Sequence, residues 1–218
     1  EHPVTEAVTG LDLVSWQIKV ASGETLPLKQ DDISFSGHAI EARIYAENPH
    51  QQFLPQTGLL HQAQWPCGES VRVDTGYTSG DEVTPFYDPM LAKIIVKGAN
   101  REEARKRLSH ALNQTALLGV ETNIDFLDQC LNNEAFATNA IHTTFVEAQL
   151  EELLPQKQGS EPAALALAAT LLSWSEVKNK DGWSSKTSSS WPVKISHNDE
   201  TYQVQVTQKE VSQFLITA

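Results

Sequence analysis

The feature that most constrains this chain is the stretch Gly37–Pro49, GHAIEARIYAENP, in which apolar and polar residues alternate without a break from Ile40 to Glu47. Ile40, Ala42, Ile44 and Ala46 fall on one face and Glu41, Arg43, Tyr45 and Glu47 on the other, the period of two of a strand covered on one side only. Arg43 therefore stands among carboxylates. Two readings of that polar face are open. In one it is solvated, and Arg43 makes a surface ion pair of small energetic worth. In the other, Arg43 is a permanently charged donor aimed into a cleft, its fork held by Glu41 or Glu47, ready to stabilise an oxyanion. Spacing alone does not choose between them.

The elements around this strand predict an α+β fold. Val8, Leu11, Val14, Ile18 and Ala21 recur at three and four, which predicts one amphipathic helix from Thr5 to about Ala21, weakened at Gly10 and docked by its apolar side. Residues 58–65, 71–77 and 90–97 read as further strands, separated by turn signals such as Pro66-Cys67-Gly68 and Ser79-Gly80-Asp81. Successive strands without helices between them favour an antiparallel sheet. Asn100 and Glu103 form a capping box for a helix whose stripe, Ala104, Leu108, Ala111, Leu112 and Leu118, runs to Gly119. Thr122 or Asn123 caps a second helix, and a third covers 143–154. Residues 1–154 thus read as an antiparallel sheet with packed helices. The polar, Pro- and Gly-punctuated segment 155–162 reads as a linker, and 163–218 as a partial second domain: an Ala/Leu-rich helix to Trp174, a Ser-rich link at 184–190, then a β-hairpin.

Composition narrows the function. Sixteen Lys and Arg against 28 Asp and Glu, a formal charge of −12, argue against a nucleic-acid surface, which needs clustered cations. No apolar run approaches the roughly 18 residues of a membrane span, so no membrane partner is expected. Cys67 and Cys130 form neither a disulfide framework nor a metal-ligand spacing and suit a reducing compartment, most simply the cytoplasm. His38, His61 and Glu41 lack the tight spacing of a metal site, so no metal ligand is assigned. There is no glycine-rich phosphate loop, and the serines at 184–190 have no paired base.

Read together, Glu1-His2-Pro3-Val4-Thr5-Glu6, the Gly37–Glu47 strand, Phe53-Leu54-Pro55, Phe86-Tyr87-Asp88-Pro89-Met90-Leu91-Ala92-Lys93 and Thr122-Asn123 resemble, in order and separation, the C-terminal part of the biotin carboxylase domain of biotin-dependent carboxylases. The resemblance covers roughly residues 1–154. It implies that the chain is a fragment, its nucleotide-binding ATP-grasp region lying upstream. The later helix and hairpin, with Gly182-Trp183, resemble the start of the connecting domain of acyl-CoA carboxylase α subunits such as methylcrotonoyl-CoA carboxylase.

What the resemblance implies for chemistry is specific. Bicarbonate is a poor electrophile, which the family overcomes with ATP. The ureido N–H of biotin is a very weak acid, which it overcomes by removing the proton while a cation faces the ureido oxygen. Glu1 matches the family's carboxylate that deprotonates bicarbonate, Arg43 the arginine at the ureido oxygen, and Ile141, beside His142, an apolar contact to adenine. Arg72 and Asp88 match positions used for packing or subunit contact. Biotin would sit on a carrier domain outside this chain, since no Met-Lys acceptor pair occurs in it. ATP and Mg2+ sites would lie mostly upstream, and the implied partners are the biotinyl carrier domain and a carboxyltransferase β subunit in an oligomer. Two other readings are a non-catalytic interaction module that docks partner subunits, and another ATP-grasp ligase with a related closing lobe.

Overall fold

The computed structural model describes residues 2–154, 164–170, 189–197, 200–210 and 213–217. The chain forms two compact units, Glu1–Pro155 and Gln156–Ala218. Glu1, the linker 155–162 and residues 171–188, with Gly182-Trp183, lie outside the described residues.

The first unit opens with α1 (Pro3–Thr9) and α2 (Leu13–Ala21) and continues through β1 (His38–Tyr45), β2 (Glu47–Asn48), β3 (Leu54–Pro55), β4 (Gly58–Leu59), β5 (Gln62–Gln64), β6 (Val71–Thr75), β7 (Glu82–Val83) and β8 (Met90–Gly98). Then come α3 (Arg101–Gln114), β9 (Ala116–Leu118), α4 (Ile124–Asn132), α5 (Glu134–Ala137) and α6 (Phe145–Leu153). This is the expected mixture of helices and antiparallel sheet. The main sheet has the order β1-β8-β6, antiparallel throughout, and three two-stranded ladders, β2-β3, β4-β7 and β5-β9, accompany it.

The even-numbered residues of β1 and β8 turn to α3, where Ala42, Ile44, Ile94 and Val96 meet Ala104, Leu108 and Leu112 in one buried cluster. Ile44, Ile94 and Leu112 are fully buried, and each such side chain contributes roughly 1.5–3 kcal/mol of apolar burial. Asn100 starts α3 by accepting the Glu103 backbone N–H, 3.0 Å, and the Glu103 carboxylate returns to the Ala99 N–H, 2.7 Å. The odd-numbered face is not bare throughout. α1 packs on β1 and β8, and Ala39 and Ile95 on that face are buried.

Several elements differ from the sequence reading. The helix expected over 5–21 breaks because Gly10 ends α1 in the left-handed region, φ 73°, and Asp12 caps α2 through the Ser15 N–H, 2.8 Å. The α2 stripe is exposed rather than docked, with Val14 at 55% and Ile18 at 63%. The strand expected over 58–65 splits into β4 and β5, which pair with different partners. α3 stops at Gln114, five residues short of Gly119, because Ala116–Leu118 leave the helix to pair with β5.

In the second unit, α7 (164–170) accompanies an antiparallel sheet of β10 (Ser189–His197), β11 (Glu200–Glu210) and β12 (Gln213–Thr217). Ala169, Val204 and Val206 are buried, and Val193, Ile195 and Ile216 pack against them.

The two thiols are free, Cys67 exposed and Cys130 buried. Burial pushes the Cys130 thiol up to about 11. Iodoacetamide is therefore expected to label Cys67 alone in the native protein and both in urea, and native labelling of Cys130 at the rate of Cys67 would contradict this packing.

Candidate active site

Directly paired residues of adjacent strands share a face, so the polar face is read across the sheet from the register. One row is Glu41–Ile95–Arg72, the next Arg43–Lys93–Asp74. Arg43 and Lys93 are thus like charges set opposite each other, an arrangement that costs stability unless carboxylates flank it. They do: Glu41 lies beside Arg43 and Asp74 beyond Lys93. Arg43 Nε donates to Glu41 Oε1 at 2.7 Å. That bond and the charge of Glu41, with a smaller contribution from the nearby Tyr45 hydroxyl, raise the pKa of Arg43. The guanidinium stays charged at any working pH, while 48% of its side chain remains open to solvent. Of the two expected holders of the fork, Glu41 is the one that bonds Arg43. Glu47 instead begins β2, its pKa raised by burial and by the charge of nearby Asp88 and held down in part by Asn123.

Asn123 is the residue whose part here the sequence reading missed. It precedes α4 but makes no side-chain cap to it. Its amide reaches 80 residues back to β1, where Nδ2 donates to the Arg43 carbonyl at 3.1 Å and Oδ1 accepts the Tyr45 N–H at 2.9 Å. Its own N–H donates to the Tyr45 carbonyl at 3.3 Å. β1 is an edge strand, and the amide occupies the place a neighbouring strand would take. A polar residue followed at once by an apolar helical stripe looks like a cap in sequence, and nothing local distinguishes a cap from a tether.

A second polar group joins α1 and α2 to the sheet. Arg72 grips Asp74 with two bonds, 2.8 and 2.7 Å, and donates to Glu6 at 3.2 Å, while Glu6 also accepts the Leu13 N–H at 2.9 Å. Glu6 and Arg72 border a cavity of about 530 Å3 that Gly10, Ser70, Ile95 and Lys97 also line and Arg43 does not. Arg72, half-exposed, thereby ties α1 to the sheet through Glu6. Asp88 accepts the Met90 N–H at 2.8 Å and shapes the entry to β8.

Of the other expected site residues, Glu1 lies outside the described residues, directly before α1. Ile141 sits in the loop between α5 and α6, 38% exposed, next to His142, whose Nδ1 lies 2.8 Å from the Thr144 hydroxyl. The structure thus places Arg43 on the sheet and Ile141 among the C-terminal helices of the unit. Among the described residues no group of His, Cys, Asp and Glu could hold a metal ion, and no helix is long and apolar enough to cross a membrane.

Comparison with known proteins bears on this arrangement. Residues 41–148 match the biotin carboxylase C-terminal domain, and residues 1–29 match the carbamoyl-phosphate synthase L chain, ATP binding domain. The chain is 41% identical over 214 residues to the mitochondrial methylcrotonoyl-CoA carboxylase subunit alpha of Dictyostelium discoideum, covering 96% of this chain and 30% of that one. It is 47% identical over 151 residues to a biotin carboxylase of Halalkalibacterium halodurans, covering 69% and 33%. Its fold is similar to the biotin carboxylase domain dimer of the Hydrogenobacter thermophilus 2-oxoglutarate carboxylase, solved with MgADP, ADP and bicarbonate, with a TM-score of 0.70 at 38% identity, covering 72% of this chain and 35% of that one. The chain spans about a third of the length of these relatives.

Proposed function

Residues 41–148 belong to the biotin carboxylase C-terminal domain family, and from that premise we propose that the chain supplies the closing lobe of an ATP-dependent biotin carboxylase in an acyl-CoA carboxylase α subunit. The observation that carries the reading is Arg43: a guanidinium fixed by Glu41 at 2.7 Å, half open, on a strand whose edge is tied down on both sides of Ile44.

In this reading biotin accepts a carboxyl group at a ureido nitrogen, using bicarbonate activated by ATP. The residues present fit that group in chemistry. Arg43 has five N–H donors, and Glu41 takes the one on Nε, so donors remain for a neutral carbonyl oxygen that gains negative charge. Because Arg43 cannot yield its proton, its help grows as that charge develops rather than being lost to proton transfer. Glu41 keeps the fork in one orientation, so little reorganisation is needed when the charge forms. Lys93, opposite Arg43, adds positive potential on the same face. Glu1 is assigned as the base for bicarbonate and Ile141 as an apolar contact to adenine. Nucleotide and magnesium ligands are assigned mostly upstream; the match of residues 1–29, which hold α1 and α2, to an ATP binding domain corrects the expectation that the ATP-grasp region lies wholly upstream. The exposed Val14, Ile18 and Val20 of α2 give the rest of that region an apolar surface to seat on. The biotinyl carrier domain and a carboxyltransferase β subunit are the partners this reading requires. The free thiols support a reducing compartment such as the cytoplasm.

Given ATP, magnesium, bicarbonate and free biotin, the isolated 218-residue chain is expected to release no ADP. The same sequence within an intact α subunit is expected to release ADP in a biotin-dependent manner. Turnover by the isolated chain, or turnover of the intact subunit indifferent to biotin, would overturn the assignment, the second outcome in favour of another ATP-grasp ligase.

A further inference from the structure

We propose that Asn123 is a positioning residue for the carboxylation of biotin, acting through the strand segment that carries Arg43; the inference rests on the role given to Arg43 above. Asn123 is 4% exposed and is the one buried polar side chain among the described residues. A buried amide costs free energy unless it is hydrogen-bonded, and here both its nitrogen and its oxygen find backbone partners. Nδ2 donates to the Arg43 carbonyl and Oδ1 accepts the Tyr45 N–H, and the Glu47 carboxylate lies near the same side chain.

The place of these bonds matters more than their number. The pairing of β1 with β8 shifts register between Ile44 and Tyr45, so sheet bonding on that side changes one residue beyond Arg43. An irregularity of this kind bends a strand and re-aims its side chains. On the opposite edge, Asn123 holds the peptide groups on both sides of the shift, Arg43 C=O and Tyr45 N–H, like a fragment of an absent strand. Tyr45, beyond the shift, also lies near enough to the guanidinium to bear on its charge. The tether thereby fixes where the guanidinium stands although Asn123 is not assigned any contact with substrate.

The geometry distinguishes the two halves of the amide. Asn123→Ala removes donor and acceptor. Asn123→Asp keeps the acceptor for Tyr45 N–H but sets a carboxylate against the Arg43 carbonyl and the Glu47 carboxylate, and it donates to the Arg43 carbonyl only when protonated.

The experiment is steady-state biotin carboxylation by the holoenzyme carrying Asn123→Ala, Asn123→Asp, Arg43→Ala or the Asn123→Ala/Arg43→Ala pair, with thermal melts to confirm folding. Asn123→Ala is expected to lower kcat/KM for free biotin about 100-fold, the scale of a displaced positioning group. Adding it to Arg43→Ala should cost little more, because both changes remove one effect. Activity of Asn123→Asp relative to wild type should rise as pH falls, a trend Asn123→Ala lacks. Should Asn123→Ala not fold, the Asp variant's profile decides alone, and a ratio flat with pH rejects the inference. Fully additive losses, or an unchanged kcat/KM in a folded Asn123→Ala enzyme, overturn it while leaving Arg43 untouched. Unchanged activity of Arg43→Ala would instead remove the parent assignment.

Discussion

Replacing Arg43 by Ala is expected to lower kcat/KM for biotin carboxylation by the holoenzyme by about 10²–10³-fold, the range for removing one preorganised donor at a developing oxyanion. Stability should barely move. The side chain is half exposed and its ion pair with Glu41 reaches into solvent, so its loss costs at most about 1 kcal/mol. The separation of these two effects is what makes the variant informative, since a structural arginine shows the reverse pattern. Arg43→Lys should recover only a small part of the activity. A Lys ammonium cannot hold Glu41 and a carbonyl oxygen with one rigid fork, and it would stand opposite Lys93 with no delocalisation of its charge. Steady-state kinetics with free biotin, alongside thermal melts, measure both quantities. An Ala variant with wild-type kcat/KM would move Arg43 to the surface-ion-pair reading and leave the interaction module as the better account of this face.

That choice could not be made from spacing because alternation fixes which side a residue takes, not what lies opposite it. Ile40 to Ala46 mark the strand and its buried face, since burial of one face is a local, periodic property. The cap of α3 is equally legible: Asn100 and Glu103 act within one turn. Partners set by long-range pairing are not. Glu41 rather than Glu47 bonds Arg43 because the chain bends between Tyr45 and Glu47, where β1 ends and β2 begins. Asn123 meets Arg43 across 80 positions, a distance at which no periodicity carries information. The exposed stripe of α2 obeys the helical period that marks it, yet the described residues supply nothing to cover it. Periodicity reports that a face wants burial, and only the assembled fold reports by what.

The boundary of α3 shows the same limit in energetic form, and it carries the second large expectation. In sequence Gly119 looks like the end of a helix because glycine commonly follows the last turn. Its backbone lies at φ 120°, after β9 and not after a helix. A Cβ added there would collide with the Leu59 carbonyl oxygen and stand 3.1 Å from the His61 backbone nitrogen. Neither is the end of a flexible side chain that could step aside. To admit a methyl group, the corner between β4 and β5 must move, breaking the His61 N–H bond to the Leu118 carbonyl at 2.8 Å and disturbing Leu60, which is fully buried in that corner. Gly119→Ala is therefore expected to destabilise the first unit by about 3 kcal/mol or more, combining backbone strain with loss of the β5-β9 ladder. Gly76→Ala is the control, since an added Cβ there meets nothing within 4 Å. Urea unfolding followed by circular dichroism should give Gly119→Ala a much lower midpoint and Gly76→Ala one near wild type. Equal midpoints would mean that the β4–β5 corner yields at little cost. The glycine would then be a bystander, and the tight crossing of β9 beneath that corner would not be what ends α3 at Gln114.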